Sequence, residues 1–219
     1  MSFAAELREA AAPVWEAQLA HPFVRGIGDG TLPEDRFRFY VRQDYLFLID
    51  YGRLLALAAA RAPRLAWMRR FAALAESVLE TEMDLHRQFA ARWGITTEQL
   101  ETETTAPATD AYCDFLLRTA ALGDFSELVA ALLPCMWGYA EIGQSLAASP
   151  PDHEGYAEWI AAYASDDFAR LAEWCRELTD AAAADVAGVG RRRMHVAFRA
   201  SSEHELAFWE QAFRLPDDR

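Results

Sequence analysis

The sequence is short of cysteine. Cys113, Cys135 and Cys175 are widely spaced, odd in number and form no C-x-x-C pair. No disulfide framework or zinc site is readable from them, and a reducing compartment is expected. Long apolar runs are missing too: none approaches the roughly 18 residues of a membrane span. The opening MSFAAELREAAAPVW has no basic stretch leading into an apolar one, so it does not read as a secretory signal. Both absences point to a cytoplasmic protein. Positive charge is scarce, with 21 Lys and Arg against 34 Asp and Glu and a net charge of −13. Affinity for nucleic acid comes largely from basic side chains neutralising phosphates, so nucleic acid and anionic membranes are excluded as partners. No linker, composition shift or fixed-period repeat divides the chain, and 1–219 reads as one domain.

What is abundant is helix signal. Segments rich in Ala, Leu, Glu and Arg carry apolar residues at three- and four-residue spacing, without strand-like alternation. The spacing predicts helices at 3–19, 33–61, 64–92, 109–122, 125–148, 152–162, 166–186 and 190–214. Thr31 with Glu34 reads as a capping box with Pro33 in the first turn, and Thr109–Asp110 as a second cap. Pro63 separates the second helix from the third. Gly94 and the Thr-rich run to Pro107 mark the one longer connection, and Gly188 and Gly190 precede the last helix. Long helices joined by mostly short turns predict an all-α, up-and-down bundle.

Several helices carry a polar group in apolar surroundings. In 131-ALLPCMWGYAEIG-143, Pro134 removes a backbone donor and bends the helix, while Cys135 and Tyr139 share a face beside Gly138. These residues describe a pocket wall, although a lone cysteine is ordinarily a small buried hydrophobe and the segment by itself favours that reading. Asp44 shares a face with Phe47 and Tyr51; the local pattern favours a solvated carboxylate over a buried acceptor. Glu205 shares a face with Phe208 and Trp209. Tyr112 and Tyr163 lie near helix ends, where tyrosines are commonly core residues with a wet hydroxyl.

The segments 21-HPFVRGIGDGTLP-33, 42-RQDYLFL-48, 134-PCMWGYAEIG-143, 159-WIAAYAS-165 and 201-SSEHELAFWEQA-212 carry a family resemblance. In order and spacing it resembles the TenA family, also called thiaminase II, over essentially its whole length. The resemblance implies a haem-oxygenase-like helical fold without haem or other cofactor, a homotetramer, and a small aminopyrimidine substrate. It further implies hydrolysis at the methylene on C5 of a 4-amino-2-methylpyrimidine, releasing ammonia from the aminomethylpyrimidine or the thiazole from thiamin. By position it makes Cys135 the nucleophile, Glu205 the proton-transfer carboxylate and Asp44 the anchor of the aminopyrimidine edge. Tyr112, Tyr139 and Tyr163 fall at the pocket's hydrogen-bonding tyrosines, and Phe208 lies against the ring. Phe47 stands where many members have Tyr, which removes one hydroxyl. His204 stands where a Tyr commonly precedes the glutamate. The Cys–Glu–Asp set is intact, as in the cysteine-bearing branch.

The chemistry asks for such groups. A thiolate adding to an electron-poor pyrimidine carbon turns the ring into an enamine-like species able to expel a poor leaving group. One carboxylate must move protons and another must hold the amidine-like edge. The residues alone leave the source of thiol activation open. A di-metal oxidase built on Glu82, His86 and Glu141 is a rival, but 166-DDFARLAEW-174 offers no further histidine. His21 reads as a helix-end hydrogen-bonder rather than a haem ligand. Arg191, Arg192 and Arg193 read as a solvated turn, not as a DNA-binding surface.

Overall fold

In the computed structural model, which describes residues 2–215, the chain is helical throughout and contains no strand among those residues. The helices are α1 (Phe3–Ala10), α2 (Ala12–Leu19), α3 (Pro22–Asp29), α4 (Glu34–Arg61), α5 (Leu65–Ser77), α6 (Met83–Arg92), α7 (Thr97–Glu101), α8 (Pro107–Leu122), α9 (Phe125–Ala147), α10 (Glu154–Tyr163), α11 (Asp166–Ala184) and α12 (Gly188–Arg214). A π-helical segment, Val78–Glu82, joins α5 to α6 without an intervening loop.

The long helices follow the predicted periodicity. On α12 the buried positions 194, 197, 198, 201, 202, 205, 208, 209 and 212 form one stripe at three- and four-residue spacing. That stripe lies on α9, which also carries α10 and α11, while α4 packs on α5 and α8. Aromatic rings fill the centre: Tyr40 stacks on Trp209 with centroids 5.4 Å apart, and Trp159 lies 4.7 Å from Tyr163. Each such ring removed from water contributes roughly 1.5–3 kcal/mol. The stripe's serines are satisfied; Ser202 Oγ donates to the Phe198 carbonyl and accepts from Trp15 Nε1.

Where local predictions fail, the causes are physical. The first predicted helix breaks at Ala11, because Pro13 lacks the N–H that would continue it; α2 restarts with that proline in its first turn. Thr31 caps nothing: its hydroxyl donates to Asp29 Oδ1 at 2.6 Å, and Pro33 occupies the N-cap of α4. The α8 helix begins at Pro107, so Thr109–Asp110 lies inside it, and Gly188 and Gly190 lie in the first turn of α12. Two short helices, α3 and α7, have no counterpart in the periodicity. Pro134 does not end α9, which runs unbroken through it.

Gly143 is where α9 meets the end of α10. A Cβ there would sit 2.6 Å from the carbonyl carbon of Tyr163 and 2.8 Å from the nitrogen of Ala164, both main-chain atoms that cannot rotate away. Gly143→Ala is therefore expected to lower stability by about 1–3 kcal/mol through overpacking. Thermal melts of the two proteins check this; an unchanged melting temperature would show that the two helices can separate freely.

Candidate active site

Four elements bring polar groups to one place. The α4 stripe carries Tyr40, Asp44, Phe47 and Tyr51 at spacings of four, three and four. From α9 come Cys135 and Tyr139, from α10 Tyr163, and from the π segment Glu82. Asp44, Phe47, Tyr51, Glu82, Cys135, Tyr139 and Tyr163 all line one narrow cleft of about 10 Å³, room for a single water. Tyr112 and Phe208 pack against Phe47, with ring centroids 5.0 and 5.9 Å away, rather than standing on the cleft wall as the sequence predicts. A larger groove of about 680 Å³ between Arg36, Pro107 and Phe213 is open, and its Glu210 is already paired with His21 and Arg214.

Asp44 is buried, not solvated as its local pattern suggests. Tyr40 donates to its Oδ2 at 3.0 Å, and His86 Nε2 lies 2.7 Å from the same oxygen. No described residue hydrogen-bonds Oδ1. Nδ1 of His86 faces the Glu82 carbonyl at 2.9 Å, so both ring nitrogens point at acceptors and the imidazolium fits best. Burial works against that charge, but the bond and charge of Asp44 and the nearby Glu82 raise the pKa of His86 above its ordinary value. Glu82 accepts from the Tyr163 hydroxyl at 3.1 Å, yet burial of its carboxyl, joined by repulsion from Asp44, pushes its pKa to about 7.

Glu205 ends a chain of oxygens. Tyr112 Oη lies 2.8 Å from Glu205 Oε1 and 2.9 Å from Ser201 Oγ, which donates to the Ala131 carbonyl at 2.6 Å. Three contacts join four oxygens. With Glu205 ionised, only two hydroxyl protons are available to fill them. With Glu205 protonated all three are filled, the carboxyl donating to Tyr112, Tyr112 to Ser201, and Ser201 to the carbonyl. The same preference follows from electrostatics, since burial first and then Asp44 push the Glu205 pKa up to about 8. Burial and the charges of Glu205, Glu82 and Asp44 drive the Cys135 thiol well above its usual range. The cleft thus holds a thiol and one carboxylate held by two donors, and Glu205, which does not line the cleft, stands against Cys135 as a carboxyl poised to give or take a proton near neutrality.

The sequence profile of the TENA/THI-4/PQQC family matches residues 8–215. The chain belongs to that family. An aminopyrimidine aminohydrolase from Halalkalibacterium halodurans is 45% identical over 215 residues, covering 97% of this chain and 96% of that protein. Among solved structures, a TenA homologue from P. horikoshii OT3 superposes with a TM-score of 0.90 at 31% identity, covering 98% and 99% of the two chains. A domain with a haem-oxygenase-like fold from Shewanella denitrificans OS217 superposes with a TM-score of 0.74 at 15% identity, over 96% and 91%. At that identity the likeness concerns the fold alone, and the fold is haem-oxygenase-like.

Within this family member the rival ligand set does not converge. Glu141 faces Arg8 at 2.9 Å, away from Glu82 and His86, and no described cluster of three or more His, Cys, Asp or Glu side chains could hold a metal. His21 caps α3, accepting from the Phe23 N–H. Arg193 lies 3.8 Å from Asp124, and Arg191 donates to the Ala183 carbonyl. Sequence reasoning misses Tyr40, Ser201 and the pairing of His86 with Asp44; the period of α4 is a signal that points to Tyr40.

The raised pKa of Glu205 has a stability consequence. The folded protein keeps a proton up to about pH 8 that a carboxyl at its ordinary 4.5 would release, so this contribution is full below about 4.5 and is lost as pH rises towards 8. Glu82 acts in the same direction up to about pH 7. Glu205→Gln keeps the neutral form at every pH. It is expected to match the wild-type stability at pH 4.5 and to exceed it at pH 8.5, by on the order of a few kcal/mol. Melting curves of both proteins across that range check this; a constant difference between them would show that Glu205 ionises like a surface carboxylate.

Proposed function

We propose that the chain is an aminopyrimidine aminohydrolase, a hydrolase of C–N bonds. It converts 4-amino-5-aminomethyl-2-methylpyrimidine to 4-amino-5-hydroxymethyl-2-methylpyrimidine for thiamin salvage, and acts on thiamin as a thiaminase II. The supporting observation is that Cys135 and Asp44 line one aromatic cleft, with Glu205 close against Cys135, in a chain 45% identical to an aminopyrimidine aminohydrolase. The cleft is narrower than a pyrimidine ring, so binding requires lining side chains such as Phe168 to rotate.

Each group has a role in the reaction. Asp44 holds the ring's N3 and 4-amino edge through Oδ1, while Tyr40 and His86 secure Oδ2. Tyr139 and Tyr163 hydrogen-bond the ring or its substituents, Tyr112 holds Glu205 through its hydroxyl, and Phe47 forms an aromatic wall backed by Phe208. Glu205, protonated at rest, gives its proton to the ring nitrogen and takes the Cys135 proton as Sγ bonds to C6. The electron pair released into the ring expels ammonia, which Glu205 protonates on departure, leaving an exocyclic methylene. Water adds there, and loss of the thiolate restores aromaticity. A pKa of about 8 suits Glu205 to both giving and accepting protons.

Cys135→Ser replaces a thiol with a far weaker nucleophile of similar shape. Hydrolysis per folded molecule is expected to fall by about 10³-fold or more while pyrimidine binding survives through Asp44 and the aromatic rings. Mass-resolved turnover of the aminomethylpyrimidine and thiamin, with calorimetric binding on the same preparation, checks this; an active serine variant rules out covalent catalysis. The enzyme acts in the cytoplasm as a homotetramer, a reading supported by family resemblance. Light scattering at four times the chain mass is the expected outcome, and a monomer at working concentration contradicts it.

A further inference from the structure

Cys135 is surrounded by groups that oppose its ionisation. Glu205 reaches it from α12, Glu82 from the π segment and Asp44 from α4, and each carboxylate disfavours a thiolate. Tyr112 on α8 is also close enough for its titration to respond to Cys135. A nucleophile in such a place needs a donor, and one side chain on the cleft wall has a donor to spare. Tyr51 is 1% exposed, and its hydroxyl has no hydrogen-bond partner among the described residues. Buried hydroxyls are nearly always paired, so an orphan lining a cleft marks a group that finds its partner during function.

The placement of Tyr51 relates to Phe47. The two residues lie one helical turn apart on α4, with rings stacked at 5.4 Å and 25°. Phe47 brings no hydroxyl to the cleft; Tyr51 does. We propose that Tyr51 donates its hydroxyl to Cys135 Sγ as the thiolate forms, supplying the cleft from one turn further along α4 with the hydroxyl that Phe47 lacks. The proposal rests on the covalent reading above. A neutral thiol is a weak acceptor, which accounts for the unformed bond at rest; a thiolate is a strong one, so the bond appears as charge builds on sulfur. It stabilises the reacting state more than the ground state. Adding the sulfur to ring carbon then releases the donor, and expelling the thiolate engages it again. Tyr51 keeps its proton throughout, since burial and the neighbouring Cys135, Cys175, Glu82 and Glu205 hold its pKa well above 10. Among the influences on Cys135, proximity of the Tyr51 hydroxyl acts to lower the thiol pKa.

The test needs no substrate in its first arm. Iodoacetamide labelling of Cys135 in the full-length protein, resolved by peptide mass spectrometry from pH 6 to 10, reads the thiol's ionisation; the buried Cys113 and Cys175 serve as controls. In Tyr51→Phe the labelling midpoint is expected to move up by about one pH unit or more, with kcat about tenfold to a hundredfold lower and KM little changed. The melting temperature should hold or rise, because an unpaired buried hydroxyl has been removed. Phe47→Tyr combined with Tyr51→Phe is expected to move the labelling midpoint back towards wild type. An unshifted midpoint in well-folded Tyr51→Phe overturns the proposal, whatever happens to kcat. A shifted midpoint in a protein that hydrolyses no aminopyrimidine supports the donor role while removing the activity assigned above.

Discussion

The Asp44–His86 contact is the constraint from which the site's arrangement follows. A carboxylate taken out of water is tolerable only if paired and hydrogen-bonded. Asp44 meets that requirement through one imidazole from α6 and one phenol from its own helix. The pairing fixes α6 against α4 and sets the orientation of His86, whose second nitrogen grips the π segment through the Glu82 carbonyl. Glu82 is thereby brought beside Asp44, where repulsion raises its pKa. Three carboxyl groups, two lining the cleft and Glu205 beside Cys135, lie close together because one of them is neutralised by a partner and the other two favour their protons.

The π segment belongs to this arrangement. Its wider turn lets the polypeptide pass from α5 to α6 as one continuous rod while altering the angular position of the residues that follow. Glu82, at the end of that turn, looks into the cleft; Arg87, one turn beyond, pairs with Asp84 on the outside. The local irregularity separates residues that face the chemistry from residues that face water.

The long helices α4, α9 and α12 are legible in the sequence because a buried stripe repeats over many turns. Helices α3 and α7, with eight and five residues, are too short for a period to emerge. The π segment has the composition of the helices around it and gives no local sign. Cys135, Asp44 and Glu205 stand out by resemblance, whereas local reasoning puts Asp44 in solvent: its partner His86 lies 42 residues away, and only the tertiary fold joins them. Glu82 and His86 read as metal ligands because their spacing is visible in the sequence and the direction of their side chains is not. Tyr51 shares Asp44's face on paper, but the absence of any partner for its hydroxyl becomes apparent only when every neighbour is in place.

The oxygen chain from Glu205 through Tyr112 and Ser201 to the Ala131 carbonyl also limits how the protein can drift over time. Position 201 must accept one hydrogen bond and donate another on opposite sides, a demand that serine meets and that threonine meets if its methyl group fits. Alanine or valine there would strand the Tyr112 hydroxyl, and phenylalanine at 112 would leave Glu205 without its neighbour. Single changes along this line pass through a less fit intermediate, so positions on three different helices are tied into one heritable unit. Most of the remaining buried stripe on α12, filled by interchangeable apolar side chains, is free to vary one residue at a time.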